Sequence, residues 1–332
     1  MGRRDQNVHD VAVDLGTARV RVATRTHGVV LDEPNVVLRQ QGAVVAVGEA
    51  AWQRTGPTRQ QLLVRPVQEG VVEDFNAVEA LLRHLLGRVG RTGLLRPRVL
   101  FTLEQGATEV GVRALSESIR GAGARTAVPV EAALCRTLGV GLGPEEPMGN
   151  LLLDVGAGGA RASLCSLGGV VLFRSTTAGG DAISAAIRDW LARERDIEVS
   201  RSTAETLKEH VVDVSGASIR QTRIRGTAPS GQPVEQVIGS QELDAVLQPL
   251  VSRICGAVTD VLTDATPELS ADILDRGLVL TGEAARLRGL SDLLGNHTQL
   301  PVVLAEPLGH AQITGAAMLL SDPQRLEGWT SP

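Results

Sequence analysis

Lysine is almost missing from this chain. Lys208 is the only one, so arginine supplies nearly all of the 33 basic residues. Positive charge is not in excess either: the formal net charge is −5, which leaves no electrostatic footprint for a nucleic-acid partner. Cysteine is scarce. Cys135, Cys165 and Cys255 stand far apart in apolar stretches, odd in number and without metal spacing. That excludes a disulfide framework and leaves buried free thiols of a reducing compartment as the expectation. No apolar run approaches the ~20 residues of a spanning helix. Met1–Asp10 is polar, lacks the apolar stretch of a signal peptide, and is expected to be flexible. Any membrane contact is therefore expected to be peripheral.

A chain of 332 residues is long for one small core and suits two lobes. Two copies of one β-unit are visible. Val8–Val13, the turn Asp14-Leu15-Gly16-Thr17-Ala18 and Val20–Ala23 read as strand, turn, strand. Leu151-Leu152-Leu153, Asp154-Val155-Gly156-Ala157-Gly158 and Arg161–Cys165 repeat it, and Gly28-Val29-Val30-Leu31 is echoed by Gly169-Val170-Val171-Leu172. A repeat about 140 residues long, by subtraction of the positions of Asp14 and Asp154, points to two related lobes and not to a solenoid. Between and after the copies, helical periodicity falls on 77–89, 108–121, 131–138, 181–195, 202–211 and 241–263, with strands at 98–103, 128–130 and 277–280. Helices alternating with strands around a duplicated β-unit define an α/β protein with two sheets.

Three turns share one grammar: an apolar strand, then Asp or Thr, then small residues. They are Asp14–Ala18, Asp154–Gly159 and Thr281–Ala285. A phosphate chain needs backbone N–H groups brought close, which small residues permit. An acidic residue at a strand end can hold Mg²⁺ through water, and Asp14 and Asp154 fit that role. One Asp-x-Gly turn is weak evidence; two at equivalent places in a duplication, with a third loop, are much stronger.

The chain resembles the MreB and MreB-like (Mbl) branch of the actin superfamily. Asp14-Leu15-Gly16-Thr17-Ala18, Leu31-Asp32-Glu33-Pro34-Asn35, Gly70-Val71-Val72-Glu73-Asp74-Phe75, Gly179-Gly180-Asp181, Thr203-Ala204-Glu205 and Leu280-Thr281-Gly282 carry the likeness, in order over roughly residues 8–320. The resemblance implies an actin-like fold: two related lobes, built on duplicated ribonuclease-H-like sheets, around a nucleotide cleft. It implies lobes at 11–149 and 150–320, with small subdomains near 34–75 and 182–265, and a flexible tail at 321–332. ATP with Mg²⁺ is the implied cofactor. Gly16, Thr17, Ala18, Gly156, Ala157, Gly158, Gly282, Glu283 and Ala284 would line the phosphates, Asp14 and Asp154 the metal, and Glu205 and Lys208 the ribose and adenine. On the residues alone, Glu205 and Lys208 read equally well as a surface pair at i, i+3.

The departures from the family pattern fall on the same loops. The first ends in Arg19-Val20 where the family has Asn-Thr. The second, Asp154 to Ala160, lacks the family's two hydroxyls. The third reads Thr281-Gly282-Glu283-Ala284-Ala285 where glycines are usual, and Glu283 either repels phosphate or faces solvent. At the position of the family's water-orienting Glu stands Ala132, preceded by Glu131, the remaining catalytic candidate. Turnover is expected to be very slow.

Leu94 and Leu95, ringed by Arg88, Arg91, Arg96 and Arg98, match the family's hydrophobic finger and imply membrane contact; the alternative is that they cap the core. The resemblance thus implies a cytoplasmic filament protein at the inner face of the cell membrane. It would associate with itself, with a paralogous MreB and with the cell-wall synthesis machinery, and govern cell shape. A non-polymerising scaffold and a sugar-kinase-like phosphotransferase are the alternatives, the latter disfavoured by the altered loops and the lack of a separate substrate motif.

Overall fold

Val11, Ala12 and Val13 are buried in succession, as are Leu151, Leu152 and Leu153. Unbroken apolar runs of this kind suit strands covered on both faces, and each forms the middle of a sheet. The computed structural model describes residues 10–54, 61–68, 71–89 and 96–330. It divides into two units, one comprising Met1–Glu146, Leu167–Gly169 and His310–Pro332, the other Pro147–Ser166 and Val170–Gly309.

In the first unit β1 (Val11–Leu15), β2 (Arg19–Thr24) and β3 (Gly28–Pro34) form an antiparallel meander. β4 (Val37–Gln40), β5 (Ala43–Val47) and β6 (Gln61–Val64) make a small separate sheet with α1 (Gly48–Gln53) against it. β7 (Val67–Gln68) pairs with β8 (Val71–Val72). After α2 (Phe75–Val89), β9 (Arg98–Leu103) joins β1 in parallel. After α3 (Glu109–Gly121), β10 (Thr126–Glu131) joins β9 and leads into α4 (Ala132–Gly139). α3 starts where the sequence places it, because the Thr108 hydroxyl accepts from the Gly111 N–H.

The second unit repeats the plan. β11 (Asn150–Val155), β12 (Ala160–Ser166) and β13 (Gly169–Thr176) form the meander. α5 (Gly180–Glu194), α6 (Arg201–His210), the hairpin β14 (Gln221–Thr227) and β15 (Pro233–Gly239), α7 (Ser240–Asp264) and α8 (Pro267–Arg276) follow. β16 (Leu278–Thr281) then lies parallel to β11. A 3₁₀ turn (Glu283–Arg286), α9 (Leu290–Thr298) and β17 (Val302–Leu304) close the sheet. The strand orders are β10-β9-β1-β2-β3 and β13-β12-β11-β16-β17. Superimposing them matches β1 to β11 and β2 to β12, so the duplication read from the sequence is a duplication of sheet topology. By length and composition α7 could cross a membrane. Leu243, Leu247, Val251, Ile254 and Val258 instead bury it in the core of the second unit.

Two expectations change. The segment after β17 returns to the first unit as α10 (Ala311–Ser321), so the second lobe does not run to residue 320. The tail expected to be flexible after Ser321 contains α11 (Pro323–Thr330). Leu326 is buried there among Val130, Leu138 and Leu319, and that apolar docking orders the helix. Met1–His9, Leu94 and Leu95 lie outside the described residues.

α4 and α10 touch backbone to backbone. A Cβ on Gly139 would lie 1.8 Å from the Ala311 carbonyl oxygen, and one on Gly315 would lie 1.9 Å from that of Cys135. Each glycine thus faces the carbonyl four residues before the other. The three cysteines are buried free thiols, and burial pushes the Cys135 thiol far above its ordinary range, so it is chemically inert.

Candidate nucleotide-binding loops

The first loop sits between β1 and β2 and is pinned from outside. Asn35, fully buried, donates from Nδ2 to the Gly16 carbonyl at 2.7 Å and from its backbone N–H to the Ala18 carbonyl at 2.8 Å. Asp14 ends the buried part of β1. Gln312 Nε2 donates to its Oδ1 at 2.8 Å and to Thr102 Oγ1 at 2.8 Å. Gln312 Oε1 in turn accepts from Arg136 Nη1 at 2.6 Å, and Arg136 forms a two-pronged pair with Glu104 at 2.8 Å on each oxygen. Arg136 is 1% exposed. Residues 14, 102, 104, 136 and 312 are thereby one hydrogen-bonded network inside the first unit.

The second loop, in the other unit, is fastened to the start of α5. The Gly180 and Asp181 N–H groups donate to the Gly156 and Ala157 carbonyls, each at 2.9 Å, which satisfies donors that a helix start otherwise leaves open. No Cβ fits at Gly179, where it would lie 2.3 Å from the Gly159 nitrogen. The Gly156 N–H closes the turn onto the Gly159 carbonyl at 2.9 Å. The N–H groups of Ala157 and Gly158 have no hydrogen-bond partner among the described residues, which is the arrangement an anion needs.

The third loop begins at Thr281, which lies in register beside Asp154. Gly282 has φ +93°, and a Cβ there would lie 2.4 Å from the Val155 carbonyl oxygen, so only glycine lets this loop press on β11. Around Gly180 the pieces meet: a Cβ there would lie 3.4 Å from Ala284 Cβ, 3.5 Å from Lys208 Nζ and 3.6 Å from Ala157 Cα. Lys208 pairs with Glu205 and donates to Ser184 Oγ at 3.1 Å, while Ser184 binds the other Glu205 oxygen at 2.7 Å. Burial raises the Glu205 pKa, but the hydrogen bonds from Lys208 and Ser184 and the charges of Lys208 and Arg201 outweigh it, so the carboxyl lies below its ordinary value. Glu205 and Lys208 are therefore a half-buried, hydroxyl-bridged pair beside the second loop. Glu283 is exposed at the head of the 3₁₀ turn, where solvent screens its charge.

Glu131 ends β10 and precedes the fully buried Ala132. Burial, reinforced by the charge of Glu104 and opposed by Arg136 and the Ala133 amide, pushes its pKa from 4.5 up to about 7. The Gln105 amide, turned so that its nitrogen faces the carboxylate, donates to Oε1 at 3.0 Å. In the folded protein this carboxyl keeps a proton that the unfolded chain releases near pH 4.5. Its contribution to stability is thus largest at low pH and is lost as pH rises through 7. Glu131→Gln is expected to gain about 1–2 kcal/mol on the wild type between pH 5 and pH 8, discounted for partial exposure. Unfolding midpoints at the two pH values check it, and equal differences at both would place the carboxyl in ordinary solvent.

Sequence reasoning passed over Arg136, Gln312, Arg21 and Arg161. Asn35 carried a signal, since it closes the Asp32-Glu33-Pro34-Asn35 stretch.

Residues 8–328 match the MreB/Mbl protein family. The chain is a member of the MreB/Mbl family. It is 37% identical over 309 residues to the cell shape-determining protein MreB of Escherichia coli K12, covering 90% of this chain and 89% of that protein. It is 33% identical over 323 residues to the cell shape-determining protein Mbl of Bacillus subtilis 168, covering 96% and 97%. The crystal structure of MreB5 of Spiroplasma citri bound to AMPPNP superposes with a TM-score of 0.88 at 29% identity, covering 96% of this chain and 98% of that one. The MamK double helical filament, at 18% identity and a TM-score of 0.79, shares the actin-like fold. Within the MreB/Mbl family, then, this member has an actin-like fold.

Proposed function

We propose that this chain is a subunit of a bacterial actin-like filament that binds adenine nucleotide, assembles with copies of itself and acts in cell shape and cell-wall synthesis. The observation that carries the nucleotide reading is the meeting of Ala157, Ala284 and Lys208 around Gly180, beside two N–H groups that have no partner among the described residues. The 29%-identical MreB5 was crystallised with AMPPNP and with ADP, which supports the same reading. Cytoplasmic placement at the inner membrane face, with Leu94 and Leu95 as the contact, and co-assembly with a more complete relative belong to this proposal. Magnesium would offset phosphate charge when bound; Asp14 and Asp154 are its candidate ligands, and their existing partners weigh against that role.

Hydrolysis is proposed to be slow. The Ala132 side chain has no polar atom to orient water, and Glu131, the residue before it, is the remaining candidate for that role. A positioned base of this kind contributes ~10²–10⁴ in rate.

ATP at one hundred times its Kd should stabilise the folded protein by about 2.7 kcal/mol and raise its melting midpoint by several degrees. High-speed pelleting of the same sample should recover polymer. A thermal shift without pelleting would favour the scaffold reading, which the internally bonded Asp14 also supports. The absence of both effects would overturn the filament proposal.

A further inference from the structure

In each unit, the carboxylate that opens a phosphate loop is answered by an arginine across the strand pair. Asp14 lies opposite Arg21 in β1–β2, and Asp154 lies opposite Arg161 in β11–β12, at equivalent positions of the duplication. Arg21 is buried, with Nη1 3.8 Å from Asp14 Oδ2 and Nε 3.2 Å from Asp32 Oδ2. In the other unit, Arg161 Nη1 and Asp154 Oδ2 come within 3.8 and 3.9 Å of one point, the place a Cβ on Gly156 would occupy. Both groups therefore border the second loop, beside the N–H groups of Ala157 and Gly158, which have no hydrogen-bond partner among the described residues. A single cross-strand ion pair is ordinary. The same pair in both halves, each at a loop of small residues, is a repeated device with a common charge logic.

We propose that in each unit the arginine opposite the loop carboxylate, Arg21 in the first and Arg161 in the second, stands where a divalent cation would be held, so that phosphate binding by this chain needs no magnesium. This rests on the nucleotide binding proposed for the chain. Arginine stays charged at any working pH and presents several donors in a plane suited to phosphate oxygens. Arg21 neutralises Asp14 from inside the first unit, together with the Gln312 hydrogen bond. Arg161, half-buried over the second loop, supplies charge to the phosphates directly. A divalent ion brought to either carboxylate would find an arginine at the facing position of the next strand and be repelled by its charge.

The test is calorimetric titration of the full chain with ATP, once with Mg²⁺ and once with EDTA. The expected result is a Kd that agrees within about twofold in the two buffers. Arg161→Gln, at a half-buried position, is expected to weaken binding in EDTA about tenfold, the loss of roughly one charge-assisted hydrogen bond. Its unchanged melting midpoint without nucleotide would show that it is folded. Binding that falls tenfold or more on chelation overturns the magnesium-free proposal and leaves the nucleotide reading intact. An Arg161→Gln affinity equal to wild type in EDTA also overturns it. No binding in either buffer takes down the nucleotide reading and this proposal together.

Discussion

Arg136→Ala is expected to lower the unfolding midpoint by about 10 °C, the equivalent of about 3–5 kcal/mol in a unit of this size. The side chain is 1% exposed, and its guanidinium is bonded to both oxygens of Glu104 and to Gln312. Removing it leaves the Glu104 carboxylate without this cation, deprives Gln312 of a donor and opens a cavity in α4. Each loss acts in the same direction. Arg136→Lys should recover little, because an ammonium cannot reach both carboxylate oxygens and the amide in one plane. Arg136→Met combined with Glu104→Gln should recover part of the loss, since a pair replaced by neutral groups no longer strands a charge. Denaturant unfolding of the three variants checks this. A loss below about 1 kcal/mol for Arg136→Ala would mean that the network is dispensable.

The second large effect concerns a single methyl group. Gly139→Ala or Gly315→Ala is expected to cost about 3 kcal/mol or more, because the new Cβ would lie 1.8 or 1.9 Å from a main-chain carbonyl oxygen. No side chain can swing aside; α4 and α10 must separate, and overpacking of that kind is among the costly core changes. The control is Gly87→Ala in α2, where a Cβ meets nothing within 4 Å. There the same substitution should stabilise the chain by up to about 1 kcal/mol through helix propensity. Equal melting midpoints for Gly315→Ala and wild type would show that the two helices tolerate separation.

The sequence disclosed what repeats and what is local. The duplicated Asp-x-Gly turns announced two sheets of one topology. Thr108, three residues before the N–H it caps, marked the start of α3 correctly. What stayed hidden depends on residues far apart in the chain. Gln312 reaches Asp14 across 298 positions and Arg136 across 176, and no local pattern encodes that. The segment after Ser321 looked like a tail because its helix is short and polar, and only the burial of Leu326 in a distant cluster orders it. The 3₁₀ turn stops at Arg286, and α9 starts afresh after Gly289 at φ +80°, a break that no local pattern of apolar residues marks. The Asp–Arg pairs were legible in hindsight: Arg21 and Arg161 stand the same seven residues after Asp14 and Asp154, and the antiparallel register turns that spacing into opposition.

The return of α10 and α11 to the first unit also sets the order in which the protein is completed during synthesis. β1 is made before the second unit, but the helix that packs against α4 and carries Gln312 to Asp14 is made after it. At about 5–20 residues per second, the stretch Pro147–Gly309 occupies roughly ten seconds or more, and when it ends the second unit has its whole sequence while the first still lacks its closing helices. The unit begun first is thus finished last, and a nascent chain stalled before His310 would carry one complete unit and one that cannot yet close.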